Sequence, residues 1–274
     1  MTAKPIVTGT DGSEESLQAV EWAAREAVLR GVPLRIVSAT SLLPRMAGLQ
    51  TQPDRDILAS VIRSERDRAL AAAAERAAET APGLPIDAVP LENQPAQAIT
   101  GSGSGASMLV LGSRGIGAFA AMVLGSVSRY AAAHASCPVV VVRDETGAVH
   151  RRIGIGLGNL DDCADSLTFA FEEAGLRQAS LIAVHAPGPY LAEEQAAGAL
   201  EELLDGWREK YPDVMVIQEV VPGHPARALV GLSARADLVV IGRHAGHPSM
   251  QGPGTVRHAV LNHAHGTIVI VPSP

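Results

Sequence analysis

Residues 112–126 read GSRGIGAFAAMVLGS, a Gly-x2-Gly-x9-Gly-Ser pattern, directly after the apolar run 108–111, MLVL. The run has the length and bounds of a buried strand, and Gly112 and Gly115 open a turn at its carboxyl end. Gly125 and Ser126 then begin a helical pattern over 127–135. Glycines let a backbone approach a bulky anion, and a helix N-terminus presents unpaired N–H groups with a favourable dipole. Such a loop would cradle phosphates through Gly112, Arg114, Gly115, Gly125, Ser126 and Val127. Ser126 can serve both as helix cap and as hydroxyl donor, and Arg114 can neutralise phosphate charge. Replacing Gly115 or Gly125 is then expected to obstruct a phosphate or force a disfavoured backbone. The same residues also describe a ligand-free strand-to-helix loop with an exposed arginine.

The pattern is not the lysine-dependent phosphate loop, which needs Gly-Lys-Ser/Thr, because the only lysines are Lys4 and Lys210. Nor does a Gly-x-Gly-x-x-Gly follow the first strand, as a dinucleotide fingerprint requires. Residues 6–13 read IVTGTDGS instead, a short strand running into an acidic turn. Together the two segments resemble the universal stress protein family. Its ATP-binding members carry a strand-one Asp and the pattern Gly-x2-Gly-x9-Gly-Ser/Thr after the fourth strand. The resemblance implies ATP with Mg²⁺ as ligand, and a regulatory nucleotide sensor in stress response. It places Asp11 near ribose, phosphate or a bound divalent ion, which takes oxygen ligands shared with phosphates. It makes Thr10 a flank of the pocket and gives the adenine edge to the backbone of Ala39. An Asx-turn or helix N-cap is the competing use of Asp11. No general base is positioned and no lysine is available for phosphoryl transfer, so any ATP hydrolysis is expected to be slow. Two further functions fit the fold. One is an adenylating enzyme, although 8–13 (TGTDGS) departs from the Ser-Gly-Gly-x-Asp-Ser that such enzymes carry. The other is a nucleotide-free interaction protein.

The 274 residues divide naturally into two domains of ordinary size. Hydrophobic residues are 47% but aromatics only 3%, so the cores must be built from Ala, Val, Leu and Ile, which suits helices on a parallel sheet. A formal charge of −7 without a basic stripe argues against nucleic acid as a partner. No apolar stretch approaches a membrane span, and the N-terminus lacks a charged leader. Cys137 and Cys163 make no disulfide framework, and a cytoplasmic protein with small buried thiols is expected.

The two halves repeat. Residues 21–27 match 168–174, 95–99 match 225–229, 107–112 match 237–242, and 137–142 match 266–271. A duplication of this period means tandem domains, here 1–145 and 150–274 joined by a short polar linker. The first half holds about 17 extra residues, placed around Ser41 to Pro53 as a surface loop. Each half alternates strand and helix, which predicts two tandem doubly wound, Rossmann-like α/β domains with parallel sheets and a crevice at the strands' carboxyl ends. The first half keeps the nucleotide motif intact. In the second, Asp11 aligns with Gly158 and Gly115 with Ala245, while Gly254-Thr255 still precedes a helix. A single nucleotide per chain is therefore expected. Five histidines (His244, His247, His258, His263 and His265) crowd the last third, but no HExxH or cysteine pair makes a zinc site of them. The apolar final strands 139–142 and 268–271 are expected at sheet edges. By family resemblance they pair antiparallel, and two chains form a homodimer with an as yet unnamed protein partner.

Overall fold

The computed structural model describes residues 3–41, 52–115, 124–143, 149–187, 192–243 and 255–273. It divides into two compact units, Met1–Val142 and Arg143–Pro274. In the first, β1 (Ile6–Gly9), β2 (Leu34–Thr40), β3 (Ile86–Glu92), β4 (Met108–Gly112) and β5 (Val139–Val142) alternate with α1 (Glu14–Arg30), α2 (Gln52–Thr80), α3 (Pro95–Ser102) and α4 (Ser126–His134). Their strand order is β3-β2-β1-β4-β5 and every neighbouring pair is parallel. The order reverses between β1 and β4, which opens a crevice at their carboxyl ends. Helix α1 packs on α2, and α3 on α4. Right-handed crossovers put the two pairs on opposite faces.

The second unit repeats this plan. Its strands are β6 (Arg152–Leu157), β7 (Ser180–His185), β8 (Val216–Val220), β9 (Leu238–Gly242) and β10 (Thr267–Val271). Its helices are α5 (Ala164–Arg177), α6 (Glu193–Lys210), α7 (Pro225–Ser233) and α8 (Thr255–His263). The order is β8-β7-β6-β9-β10, again parallel throughout.

Small residues explain how the helices seat. Helix α1 buries Ala19, Ala23, Ala24 and Ala27 without measurable exposure, so its backbone rides close to the strands. Ser13 starts it by accepting from Ser16 N–H at 3.3 Å, two glutamates follow in the first turn, and Gly31 ends it in the left-handed region at φ 63°. β1, β4 and β5 are buried at every position, as strands covered on both faces must be. The surplus length of the first half lies elsewhere than expected. Gln52 and Pro53 already belong to α2, which has 29 residues against 18 in α6, so most of the surplus lengthens a helix. Residues 42–51 lie outside the described residues.

Candidate functional site

The turn after β1 is held by a closed set of short-range hydrogen bonds. Ser16 Oγ–H donates to the Ser13 carbonyl at 2.8 Å, which leaves Thr10 to donate to Ser16 Oγ at 3.0 Å. Gly12 N–H donates to Thr10 Oγ1 at 3.2 Å. Thr10 is only 3% exposed, so its hydroxyl fixes the turn from inside while the chain beyond it faces the crevice. Asp11 is exposed, and its Oδ1 accepts from Ser13 N–H at 3.0 Å and from Ser13 Oγ–H at 2.6 Å. The Asx-turn is therefore formed, and it orients the carboxylate rather than hiding it. An orienting turn and a ligand role are compatible uses of one side chain.

The glycine loop comes to the same place, and its glycines do different jobs. A Cβ on Gly112 would lie 2.6 Å from the Glu15 carbonyl oxygen, so this glycine lets β4 touch the backbone of α1. A Cβ on Gly115 would lie 2.3 Å from Asp11 Oδ2, which sets the loop directly against the carboxylate. At Gly125 a Cβ would meet nothing described closer than the Ser113 carbonyl oxygen at 3.5 Å. None of the three occupies the left-handed region, and Gly125 sits at φ −64° and ψ 153°, open to any residue. Backbone strain is thus not what these positions demand; close approach is, at Gly112 and Gly115.

Helix α4 begins at this point. Gly125 N–H donates to Ser113 O at 2.8 Å, and Ser128 Oγ–H donates to Gly112 O at 2.7 Å, which ties the helix start to the end of β4. Its N-cap is Gly125, which has no side chain to cap with, and Ser126 and Val127 supply the next N–H groups. Ser126 is accordingly the first helical residue and not the cap. Arg114 is exposed, with Nε 3.7 Å from Glu15 Oε1. Ala39 lies half-buried near the end of β2, opposite Leu91. Beside it Thr40 Oγ1 is buried with no hydrogen-bond partner among the described residues. Thr40, Ser113 and Ser128 belong to no motif, so nothing in the sequence marks a strand-end threonine, a loop serine or a serine in the first turn of α4 as part of the site. Residues 116–123 lie outside the described residues.

The second unit shows what changed on duplication. Gly158 stands at the position of Asp11, and a Cβ there would meet nothing within 4 Å among the described residues. Cys163 replaces Ser16 and keeps its bond, Sγ–H donating to Leu160 O at 3.0 Å. Burial, then the charges of Asp162 and Asp161, push its thiol up to about 11. His185 replaces Ser38, 5% exposed, with Nδ1–H donated to Leu157 O at 2.7 Å. His244, Ala245, His247 and Gly254 lie outside the described residues. Among the described residues no group of three or more His, Cys, Asp or Glu is arranged to hold a metal, and no helix is long and apolar enough to cross a membrane.

The family model for the universal stress protein family matches residues 2–143 and again 150–272. A universal stress protein of Mycobacterium tuberculosis strain H37Rv is 34% identical, covering 97% of this chain and 96% of its own. One from Mycolicibacterium smegmatis is 32% identical over 97% and 96%. Among solved structures, a universal stress protein from Archaeoglobus fulgidus has TM-score 0.75 at 17% identity, covering 99% of both chains, a likeness of fold. Two full matches to the model and full-length relatives leave one conclusion: the chain belongs to the universal stress protein family.

Proposed function

We propose that the first unit binds ATP and that the chain works as a regulatory nucleotide sensor in the stress response, not as a fast enzyme. The observation that carries this is the convergence of Asp11, Gly115 and the uncapped start of α4 at the switch point between β1 and β4. Anions bind where N–H groups have no side-chain cap, and Gly125 leaves α4 in that state. The buried, unpartnered hydroxyl of Thr40 beside Ala39 supports a ligand on the adenine and ribose side, since buried hydroxyls are normally bonded. Arg114, Ser126 and Val127 line the phosphate end. Mg²⁺ would arrive with the nucleotide, held by Asp11 and phosphate oxygens, and would offset phosphate charge. The chain's only lysines are Lys4 and Lys210, so hydrolysis is slow at most. On this reading nucleotide occupancy orders the glycine loop and is reported to a protein partner by a homodimer. Calorimetric titration with ATP tests it. A single site per chain is expected, weakened about tenfold or more in Asp11→Ala, which removes a charged ligand. Two equal sites, or none, would overturn it.

A further inference from the structure

β3 and β8 hold the same place, last in the strand order of their unit, and they treat the open edge in opposite ways. In the first unit Leu34 N–H donates to Pro85 O at 3.0 Å and Asn93 N–H to Thr40 O at 3.3 Å. Alternate residues of a strand point their backbone groups to opposite sides, so Ile86, Ala88, Pro90 and Glu92 turn theirs outward, away from β2. Pro90 has no N–H to give there. Beside it Asp87 makes an exposed ion pair with Arg35 at 3.0 Å. Proline and charge are the usual means of keeping an edge strand from pairing.

β8 has lost these devices. Leu181 N–H donates to Met215 O at 2.9 Å and Val221 N–H to His185 O at 2.9 Å, which leaves Val216, Gln218 and Val220 facing outward. The spacing that sets 95–99 on 225–229 sets Pro90 on Val220 and Asp87 on Ile217. Every outward position therefore keeps both N–H and C=O, and none carries a charge. Where the first unit pairs Arg35 with Asp87, the second sets Ile182 beside Ile217. Met215 and Ile217 are exposed. Glu219 is the one charged residue of β8, and its own Arg235 holds it through two bonds. Gln218 Oε1 is buried and has no hydrogen-bond partner among the described residues, where buried side-chain acceptors are normally bonded.

We propose that β8 pairs antiparallel with β8 of a second copy of this chain, about a twofold axis at Gln218. The outward row Val216, Gln218, Val220 reads the same in both directions. A twofold mate therefore sets each Val216 against a Val220 and Gln218 against itself, and the three residues exchange backbone bonds across the axis. Their side chains share one face of the strand, so the two Gln218 amides meet there. An amide both donates and accepts, and each copy offers an N–H to the other's orphan Oε1. An unrelated strand would satisfy the backbone as well, but the twofold also gives the amide its partner. The inference rests on the homodimer of the proposed function and names its surface. It uses no residue of the nucleotide site, so pairing and ATP binding can fail separately.

The test is light scattering of the full chain over a concentration series, for wild type, Val220→Pro and Gln218→Lys. Val220→Pro installs the first unit's own residue and removes an outward N–H from both copies; Gln218→Lys sets like charges opposite each other across the axis. Wild type is expected at twice 28.4 kDa, and both variants should dimerise roughly tenfold or more weakly. ATP titration of the same samples reads the nucleotide site apart, and both variants should keep the parent's ATP affinity. A monomeric wild type, its edge left to a strand of some other protein, would overturn the proposal. So would a dimer of unchanged affinity in both variants, which would place the contact elsewhere. Should the variants misfold, hydrogen exchange of the wild-type chain decides. The N–H groups of Val216, Gln218 and Val220 should be protected where the chain is dimeric and exchange fast on dilution. Fast exchange of all three in the dimer would overturn the pairing.

Discussion

Gly125→Ala is the substitution that separates ligand from protein. An alanine Cβ there would sit 3.5 Å from Ser113 O and 3.7 Å from Arg114 Cα, both ordinary contacts, and φ −64° imposes no strain. Loss of glycine's freedom in the unfolded chain should stabilise the fold by about 0.4–1 kcal/mol. For a unit of this size that is an upward shift in Tm of roughly 1–6 °C. ATP affinity should move the other way, because the methyl group projects from the N-cap at the start of α4. Losing one charge-assisted N–H contact costs about 1.5–3 kcal/mol, roughly 10- to 150-fold in Kd. The other two glycines give contrasting signatures. Gly112→Ala meets the Glu15 backbone at 2.6 Å and should chiefly lower stability, by about 1–3 kcal/mol. Gly115→Ala meets Asp11 Oδ2 at 2.3 Å and should weaken both stability and binding, since the Asx-turn must give. Thermal melts without ligand and calorimetry with ATP read the two effects apart. Parental ATP affinity in Gly125→Ala would refute the cradle, and a melt well below the parent's would refute the geometry at the start of α4.

Cys163, with its thiol pushed up to about 11, should resist iodoacetamide in the native chain at about pH 8 and react once the chain is unfolded in urea. Fast native alkylation at Cys163, read by peptide mass, would contradict its burial. Arg235 grips Glu219 through two bonds, at 2.9 and 2.5 Å, and that grip holds the carboxyl below its ordinary 4.5 despite burial acting the other way. Its contribution is therefore complete above pH 4.5 and fades as pH falls from there through the lowered folded value. Arg235→Gln should cost at most ~1 kcal/mol at neutral pH, because both side chains are partly exposed, and nothing at strongly acid pH. A stability gap that widens on acidification would contradict this. Light scattering should give twice 28.4 kDa if the chain is a homodimer, and 28.4 kDa at micromolar concentration would exclude the dimer.

The elements were legible because period and punctuation agreed. α4 falls within one residue of the helical pattern at 127–135, and β5 coincides with its valine run. Tertiary packing set what the sequence could not show. The motif's spacing marks Gly112, Gly115 and Gly125 alike, yet only the fold tells that one meets α1, one meets Asp11 and one has room. The resemblance makes Thr10 a pocket flank, and the fold adds that its hydroxyl bonds Ser16 inside the turn. Residues 21–27 match 168–174, and within that match Glu26 stands opposite Glu173. Each is buried and paired four residues on with Arg30 or Arg177, a duplicated ion pair inside matching helices.

On the function proposed above, the first unit holds an adenine nucleotide through Asp11 and the glycine loop. Mass spectrometry of the supernatant after acid denaturation of the purified chain tests it most directly. ATP or its breakdown products should be released from the wild-type chain and be strongly reduced in Asp11→Ala. Equal release from wild type and Asp11→Ala, or no release from either, would contradict it.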